Sequence, residues 1–360
     1  MRFILLSKQF VPVSKNEFIV GTILLLVTAF SVAGMRWATL YNGQAISSDK
    51  PAHLYLDKRT TLDELSSILV DSSYVESEEE LRWAANLLGW RNFQAGHYLI
   101  DEPYEYEEFL SKLARGIQDP VSVTILPGRT KGDIVTKVAN QLQFDSLTFH
   151  QTLKDSIFIA KHELDQKDVV GRLFPNTYSV YWTISPESFF KRILNEFDKA
   201  VIESEQEQME ELNRSVDEII TLASIIEWEA RNREEKRTIS GLYWNRLNRG
   251  MRLQADPTVN FAVGERRRLL YEDYQVDHPY NTYLYRGLPP GPITNPDLVS
   301  IRSALYPEDH DYLYMVATPK GEHAFSKTFE EHKQKSAKWR KWLQEQYRIK
   351  RNNEQKQNGN

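Results

Sequence analysis

An uncharged run of 17 residues, Phe18–Gly34 (FIVGTILLLVTAFSVAG), lies close to the N-terminus and limits every fold the chain can adopt. As a helix rising 1.5 Å per residue it reaches about 26 Å, near the lower end of what crosses a hydrocarbon core. Arg2, Lys8 and Lys15 precede it. The positive-inside rule therefore expects residues 1–17 in the cytoplasm, 18–35 as a single transmembrane anchor in the cytoplasmic (inner) membrane, and all later residues outside. A cleaved signal peptide is the rival reading, with Ser31 and Ala33 at small-residue cleavage spacing. The run exceeds the 7 to 15 apolar residues usual in such a peptide, so an uncleaved anchor is expected.

The remaining chain is long enough for two or three domains, and 41% hydrophobic residues among 360 suffice for real cores. The formal net charge of -5 argues against nucleic acid as a partner. There is no cysteine, which excludes disulfides, thiolate metal sites and thiol nucleophiles. The eight histidines stand without metal-ligand spacing, and no glycine-rich phosphate loop occurs. Neither a metal nor any other cofactor is expected. Basic residues outnumber acidic ones from Lys327 onward, and residues 346–360 read as a polar, frayed tail.

Between residues 51 and 118 the pattern is a strand (His53 to Leu56), two helices (Thr61 to Val70, Ser77 to Leu88), a strand (Gly96 to Ile100) and a helix closed by Gly116. This is the outline of a small LysM-like module, a type that binds N-acetylglucosamine-containing glycans. Residues 119–205 read as a connecting α/β subdomain, with a strand at Val121 to Ile125 and helices at Lys131 to Leu142 and Pro186 to Ala200. Residues 206–345 read as a further mixed α/β domain, so the expected class is α+β.

The chemistry concentrates between Thr221 and Gly264. Ser215 and Glu218 have capping-box spacing before Ile219, Ile220, Leu222, Ala223, Ile225 and Ile226, which predicts a helix from Ser215. Ile220, Ala223, Glu227 and Ala230 share one face, and Glu229 lies roughly 200° away, so only one of the two carboxylates can face a given cleft. A carboxyl held against apolar surface keeps its proton, which suits a general acid. Glu227 is the candidate. The plain alternative for both is a surface ion pair with Arg231 or Arg233, four residues on. Asp256-Pro257 reads as N-cap and first residue of a short helix. Tyr280 to Tyr283 and Gly287 to Pro292 are loops dense in turn formers.

Taken in order, Ala223 to Ala230, Asn245-Arg246-Leu247, Gly250 to Val259, Pro279 to Tyr283, Gly287 to Ile293 and Gly321 to Phe325 resemble the YceG-like endolytic murein transglycosylases. The resemblance covers about Pro51 to His332. It departs at Trp228, where a basic residue is common, at Val170 and Asn176, where carboxylates are frequent, and at Leu126, where Pro-Glu-Gly is usual.

The resemblance implies a membrane-anchored lyase that cuts peptidoglycan glycan strands internally, beside peptidoglycan synthases, with Glu227 at the catalytic position. It further implies that one carboxylate suffices. The glycosidic oxygen is protonated by the acid, and the muramyl 6-hydroxyl, already tethered, replaces water as nucleophile. Gln254, Asp256, Thr258, Asn281 and Tyr283 are the candidates for holding the sugar, whereas His323 is expected to be structural and Tyr280 to be core. The alternatives are a hydrolase with Asp256 as second carboxylate and a non-catalytic, membrane-tethered glycan-binding scaffold.

Overall fold

The computed structural model describes residues 14–230 and 232–357, and Arg2 and Lys8 lie outside them. The chain divides at Pro120/Val121 into two compact units.

The first unit opens with α1 (Lys15–Leu40), a 26-residue helix. It is long and apolar enough to cross a membrane. Except for Leu40 at its end, its large apolar side chains, Phe18, Leu25 and Phe30 among them, are exposed all round, as expected where lipid is the solvent. Its threonines are satisfied internally: Thr22 Oγ1 donates to the Phe18 carbonyl at 2.9 Å and Thr28 Oγ1 to Leu24 at 2.7 Å.

There follow β1 (Ala52–Leu56), β2 (Thr60–Thr61), α2 (Leu62–Asp71), α3 (Glu78–Leu88), β3 (Asn92–Phe93), β4 (Gly96–Ile100) and α4 (Tyr106–Arg115). The longer strands pair antiparallel with Leu54 opposite Tyr98, and the short ones with Thr60 opposite Phe93. Alternation along β1 sends Leu54 and Leu56 into a core with Leu65, Leu69 and Phe109. A capping box from Thr61 and Glu64 starts α2, and left-handed Gly116 ends α4. Strand, two helices and strand thus occur in the order read from the sequence.

The second unit comprises β5 (Val121–Ile125), α5 (Lys131–Ala139), α6 (Ser146–Thr152), α7 (Ser156–Ala160), α8 (Val169–Arg172), β6 (Asn176–Val180), α9 (Pro186–Phe197), α10 (Ser204–Leu212), α11 (Val216–Glu229), α12 (Lys236–Asn248), α13 (Asp256–Val263), α14 (Leu298–Leu305), β7 (Tyr314–Ala317), β8 (His323–Ser326) and α15 (Phe329–Gln357). β5 pairs with β6 and β7 with β8, both antiparallel. One continuous core runs from Val123 to Leu305, so the stretches 119–205 and 206–345 share it. α11 is its axis: Ile219 to Ile226 are all buried, and α8, α12, α13 and α14 pack around them. α8 approaches closely because Gly171 lacks a side chain; a Cβ there would stand 2.6 Å from both Ile220 and Pro292.

One strand is added and one expectation changes. Residues 176–180 form β6, whose pairing with β5 is nonlocal. Residues 346–357, expected to be frayed, continue α15, because Lys, Arg, Gln and Glu are all good helix formers and Arg348 pairs with Glu345 one turn before it. Residues 358–360 lie outside the described part.

Candidate active site

α11 begins as its sequence predicts, with Ser215 Oγ accepting from the Glu218 amide at 3.2 Å and the Glu218 carboxylate accepting from the Ser215 amide at 3.0 Å. Since the helix is buried on every side, the two carboxylates near its end leave the core in opposite directions and enter different surroundings.

Glu227 enters an ion cluster between helices. Its Oε2 accepts from Lys236 Nζ at 3.0 Å, from Ser300 Oγ at 2.6 Å and from the Asp297 amide at 3.3 Å. Lys236 Nζ also donates to Ser300 Oγ at 2.7 Å and Asp297 Oδ1 at 3.3 Å. The side chains of Glu227 and Lys236 are 12% and 4% exposed. Glu227, expected to be the catalytic residue, thus stands among groups from α12 and the start of α14, and it is not one of the residues that line the cleft beside Glu229. Of the two arginines four residues on, Arg233 reaches Asp297 at 3.7 Å, and Arg231 lies outside the described residues.

Glu229 faces a cleft of about 330 Å³, lined also by Gln254, Asp256, Tyr283, Arg246 and His323. Among the described residues its carboxyl makes no ion pair or side-chain hydrogen bond. Burial pushes its pKa from the ordinary 4.5 to about 8; the Asp256 charge adds to the rise and Arg246 opposes it. The carboxyl is therefore mostly protonated at neutral pH. Tyr243, fully buried nearby, has a hydroxyl with no partner among the described residues and a pKa raised by burial and by Glu229.

Asp256 is the first residue of α13 and its side chain caps nothing, contrary to the capping assignment. Instead its Oδ1 accepts from the Tyr283 hydroxyl at 2.7 Å, while the Tyr274 hydroxyl stands 3.4 Å from both oxygens. The two phenol rings meet edge to face at 4.6 Å. Burial first, then Asp256, raises the pKa of both phenols, that of Tyr274 to about 12. Gln254 has φ of 50°, a left-handed backbone rare for a residue with a Cβ, and its amide donates to the Thr282 carbonyl at 3.2 Å. A strained residue beside a cleft is a common mark of a functional site.

Thr258 and Asn281, expected to hold the sugar, are not among the residues that line the cleft. Thr258 is fully buried, with its hydroxyl 2.8 Å from the Ala255 carbonyl and 2.8 Å from Thr282 Oγ1. Asn281, also fully buried, donates to the Tyr274 and Val276 carbonyls at 3.1 and 2.9 Å and accepts from the Tyr283 amide at 3.0 Å. Short polar side chains in turn-rich segments bond the backbone, and here they hold in place the loop that presents Tyr274 and Tyr283. Tyr280 packs on Phe261 at 4.5 Å, as expected of a core residue.

The sequence reading did not single out Arg246 for a role. Its guanidinium donates to the Leu313 and Leu253 carbonyls, both at 2.6 Å, and so joins α12 to the chain on either side of the cleft. His323 lines the cleft, with Nδ1 3.1 Å from Glu235 Oε2. Trp228, between the two glutamates, donates its indole N–H to the Gly128 carbonyl at 3.0 Å; Asn295 secures the same loop through the Leu126 carbonyl and the Arg129 amide.

Comparison with known proteins places this geometry in context. The endolytic murein transglycosylase of Bacillus subtilis strain 168 is 30% identical over 311 residues, covering 81% of this chain and 86% of that protein. The endolytic murein transglycosylase of Streptococcus pneumoniae D39 is 29% identical over 303 residues, covering 75% of this chain and 55% of that protein. The crystal structure of a yceG-like protein from Listeria monocytogenes, 30% identical, superposes with a TM-score of 0.57 over 80% of this chain and 99% of that one. The YceG-like family model matches residues 54–338, a span that takes in α11, the cleft and both carboxylates, and the chain belongs to that family.

Proposed function

We propose that the protein is a membrane-anchored lyase, a lytic transglycosylase that cuts peptidoglycan strands internally at the β-1,4 bond between N-acetylmuramic acid and N-acetylglucosamine. The observation that carries this reading is Glu229, a carboxyl that still holds its proton at neutral pH and lines the cleft with Gln254, Asp256 and Tyr283. Relatives named endolytic murein transglycosylase support it.

Glu229 gives its proton to the glycosidic oxygen as the bond from C1 breaks, and that oxygen leaves as the 4-hydroxyl of N-acetylglucosamine. The resulting carboxylate takes the proton of the muramyl 6-hydroxyl as O6 bonds to C1, closing a 1,6-anhydro ring. The proton count returns to its start and no water enters. Gln254 and Tyr283 hold the sugar, and Asp256 orients the phenols and adds to the burial that keeps Glu229 protonated.

A hydrolase is the second reading, because Asp256 is a carboxylate in the same cleft. Its oxygens are engaged by two phenols, which suits positioning better than attack on C1 or activation of water. Mass spectrometry of digested peptidoglycan decides: anhydro ends support transglycosylation, and reducing ends overturn it. Glu229→Gln is expected to abolish cleavage.

α1 anchors the protein in the cytoplasmic membrane, and the basic residues before it favour an N-terminus inside and a cleft outside. The first unit is read as a LysM-like glycan-binding module, and peptidoglycan synthases as neighbours.

A further inference from the structure

Beside the cleft, and on the same two segments that line it, lies a pocket of about 170 Å³. α13 carries Asp256 at its start and Phe261 five residues on, roughly 7 to 8 Å along the helix. The facing loop carries Tyr283 at the cleft and Tyr280 at the pocket. Phe261, Tyr280, Val170 and Ile293 make its walls apolar, and the ionic and amide groups that line it, Lys131, Lys167 and Gln166, include no acid.

Lys131 is half-buried and has no acidic partner among the described residues. Burial, then the charge of Lys154, holds its pKa below the ordinary value. His150 is lowered in turn by burial and by Lys154 and Lys131. The mutual repulsion of Lys131, Lys154 and His150 costs free energy, which an anionic ligand beside Lys131 recovers. The first turn of α5, where Lys131 stands, adds the positive end of a helix. Gln166, which also lines the pocket, buries its amide nitrogen without a hydrogen-bond partner among the described residues. Asp133 is engaged by the Thr130 cap, and Asp165 pairs with Lys167 at 3.4 Å, which leaves Lys131 as the pocket's cation without an acidic partner among the described residues. Asp168 is felt by Tyr280 and lies near Lys167 and Arg172.

We infer that this pocket takes a carboxylate of the peptide side chains carried by muramic acid, with the methyl groups of their alanines against the apolar wall. The inference rests on the function proposed above and names what part of the strand is read next to the cut. Losing one charge-assisted contact in a half-buried site corresponds to about a tenfold loss.

The test uses the full-length protein in detergent and two measurements. Binding of N-acetylmuramyl-L-alanyl-D-glutamate is compared with its uncharged diamide; the acid is expected to bind about tenfold tighter, and Lys131→Gln to remove that advantage while Lys131→Arg keeps it. Anhydro ends are then counted on strands with their peptides and on strands stripped by an amidase. Lys131→Gln should lower kcat/KM about tenfold on the first and change it less than twofold on the second. Equal binding of acid and diamide, or an equal loss on both substrates, overturns the pocket assignment. Failure of wild type to make anhydro ends on either substrate instead strikes the catalytic reading, and the binding comparison still judges the pocket.

Discussion

Glu229→Gln is expected to inactivate the protein and to stabilise it at once. Moving the carboxyl from 4.5 to about 8 disfavours its anion in the folded state by about 5 kcal/mol. The unfolded chain releases this proton above its ordinary pKa, whereas the folded chain holds it until about 8, so the unfolded state binds fewer protons in between. Below the ordinary value both states are protonated and there is no penalty. Stability then falls as pH rises, by about 3 kcal/mol at pH 7, and levels off above about 8. Glutamine has the shape of the protonated acid and cannot ionise. The variant should match wild type at pH 4 and exceed it by about 3 kcal/mol at pH 7, while kcat falls about 10²- to 10⁴-fold with the loss of a general acid. The measurement is a urea titration at both pH values, read by hydrogen exchange of α11 so that residues 121–357 are followed alone. Equal stability of variant and wild type at pH 7, or retained cleavage, would refute the assignment of Glu229 as a buried acid.

Other expectations concern the groups around it. Wild-type kcat/KM should hold up to about pH 8 and then fall about tenfold per pH unit, since the protonated acid is the working form. Asp256→Asn removes the like charge, so this limb should move to lower pH yet stay above 4.5, burial being the larger cause of the shift. Glu227→Ala leaves Lys236 buried with Asp297 as its remaining carboxylate partner; urea titration should show a loss of about 3 kcal/mol, with the alkaline limb still near 8. Asn281→Leu strips three buried hydrogen bonds from the loop behind Tyr274 and Tyr283, and should cost about 3 kcal/mol in the same titration.

Local signals in the sequence carried far. The Ser215/Glu218 box and Gly116 each mark a helix end within a few residues, and the apolar run of α1 needs no partner to be recognised. What was not legible depends on residues distant in sequence. β6 is a strand because β5, some fifty residues earlier, pairs with it. Thr258 and Asn281 are polar residues in a motif-bearing stretch, and only the fold shows that they face the backbone rather than the cleft. The choice between Glu227 and Glu229 was illegible for the same reason. Spacing placed them on opposite sides of α11, but both sides are apolar along the helix, and the groups that claim Glu227 lie 9, 70 and 73 residues further on.

That arrangement explains why one helix end carries two carboxylates. An acid kept protonated by burial weakens the fold at the pH where it works, so its position needs support from elsewhere. Glu227, two residues before, ties the last turn of α11 to Lys236 of α12 and to Asp297 and Ser300 at the start of α14. Trp228 adds the loop at Gly128. Three consecutive side chains thus divide the work: two fix the helix end in three directions, and the third is left free to meet the strand. On this view Glu227 is a positioning residue. Replacing it should lower kcat through looser placement of Glu229 without changing the pH at which Glu229 loses its proton, a separation that the pH profile of the Glu227 variant reads directly.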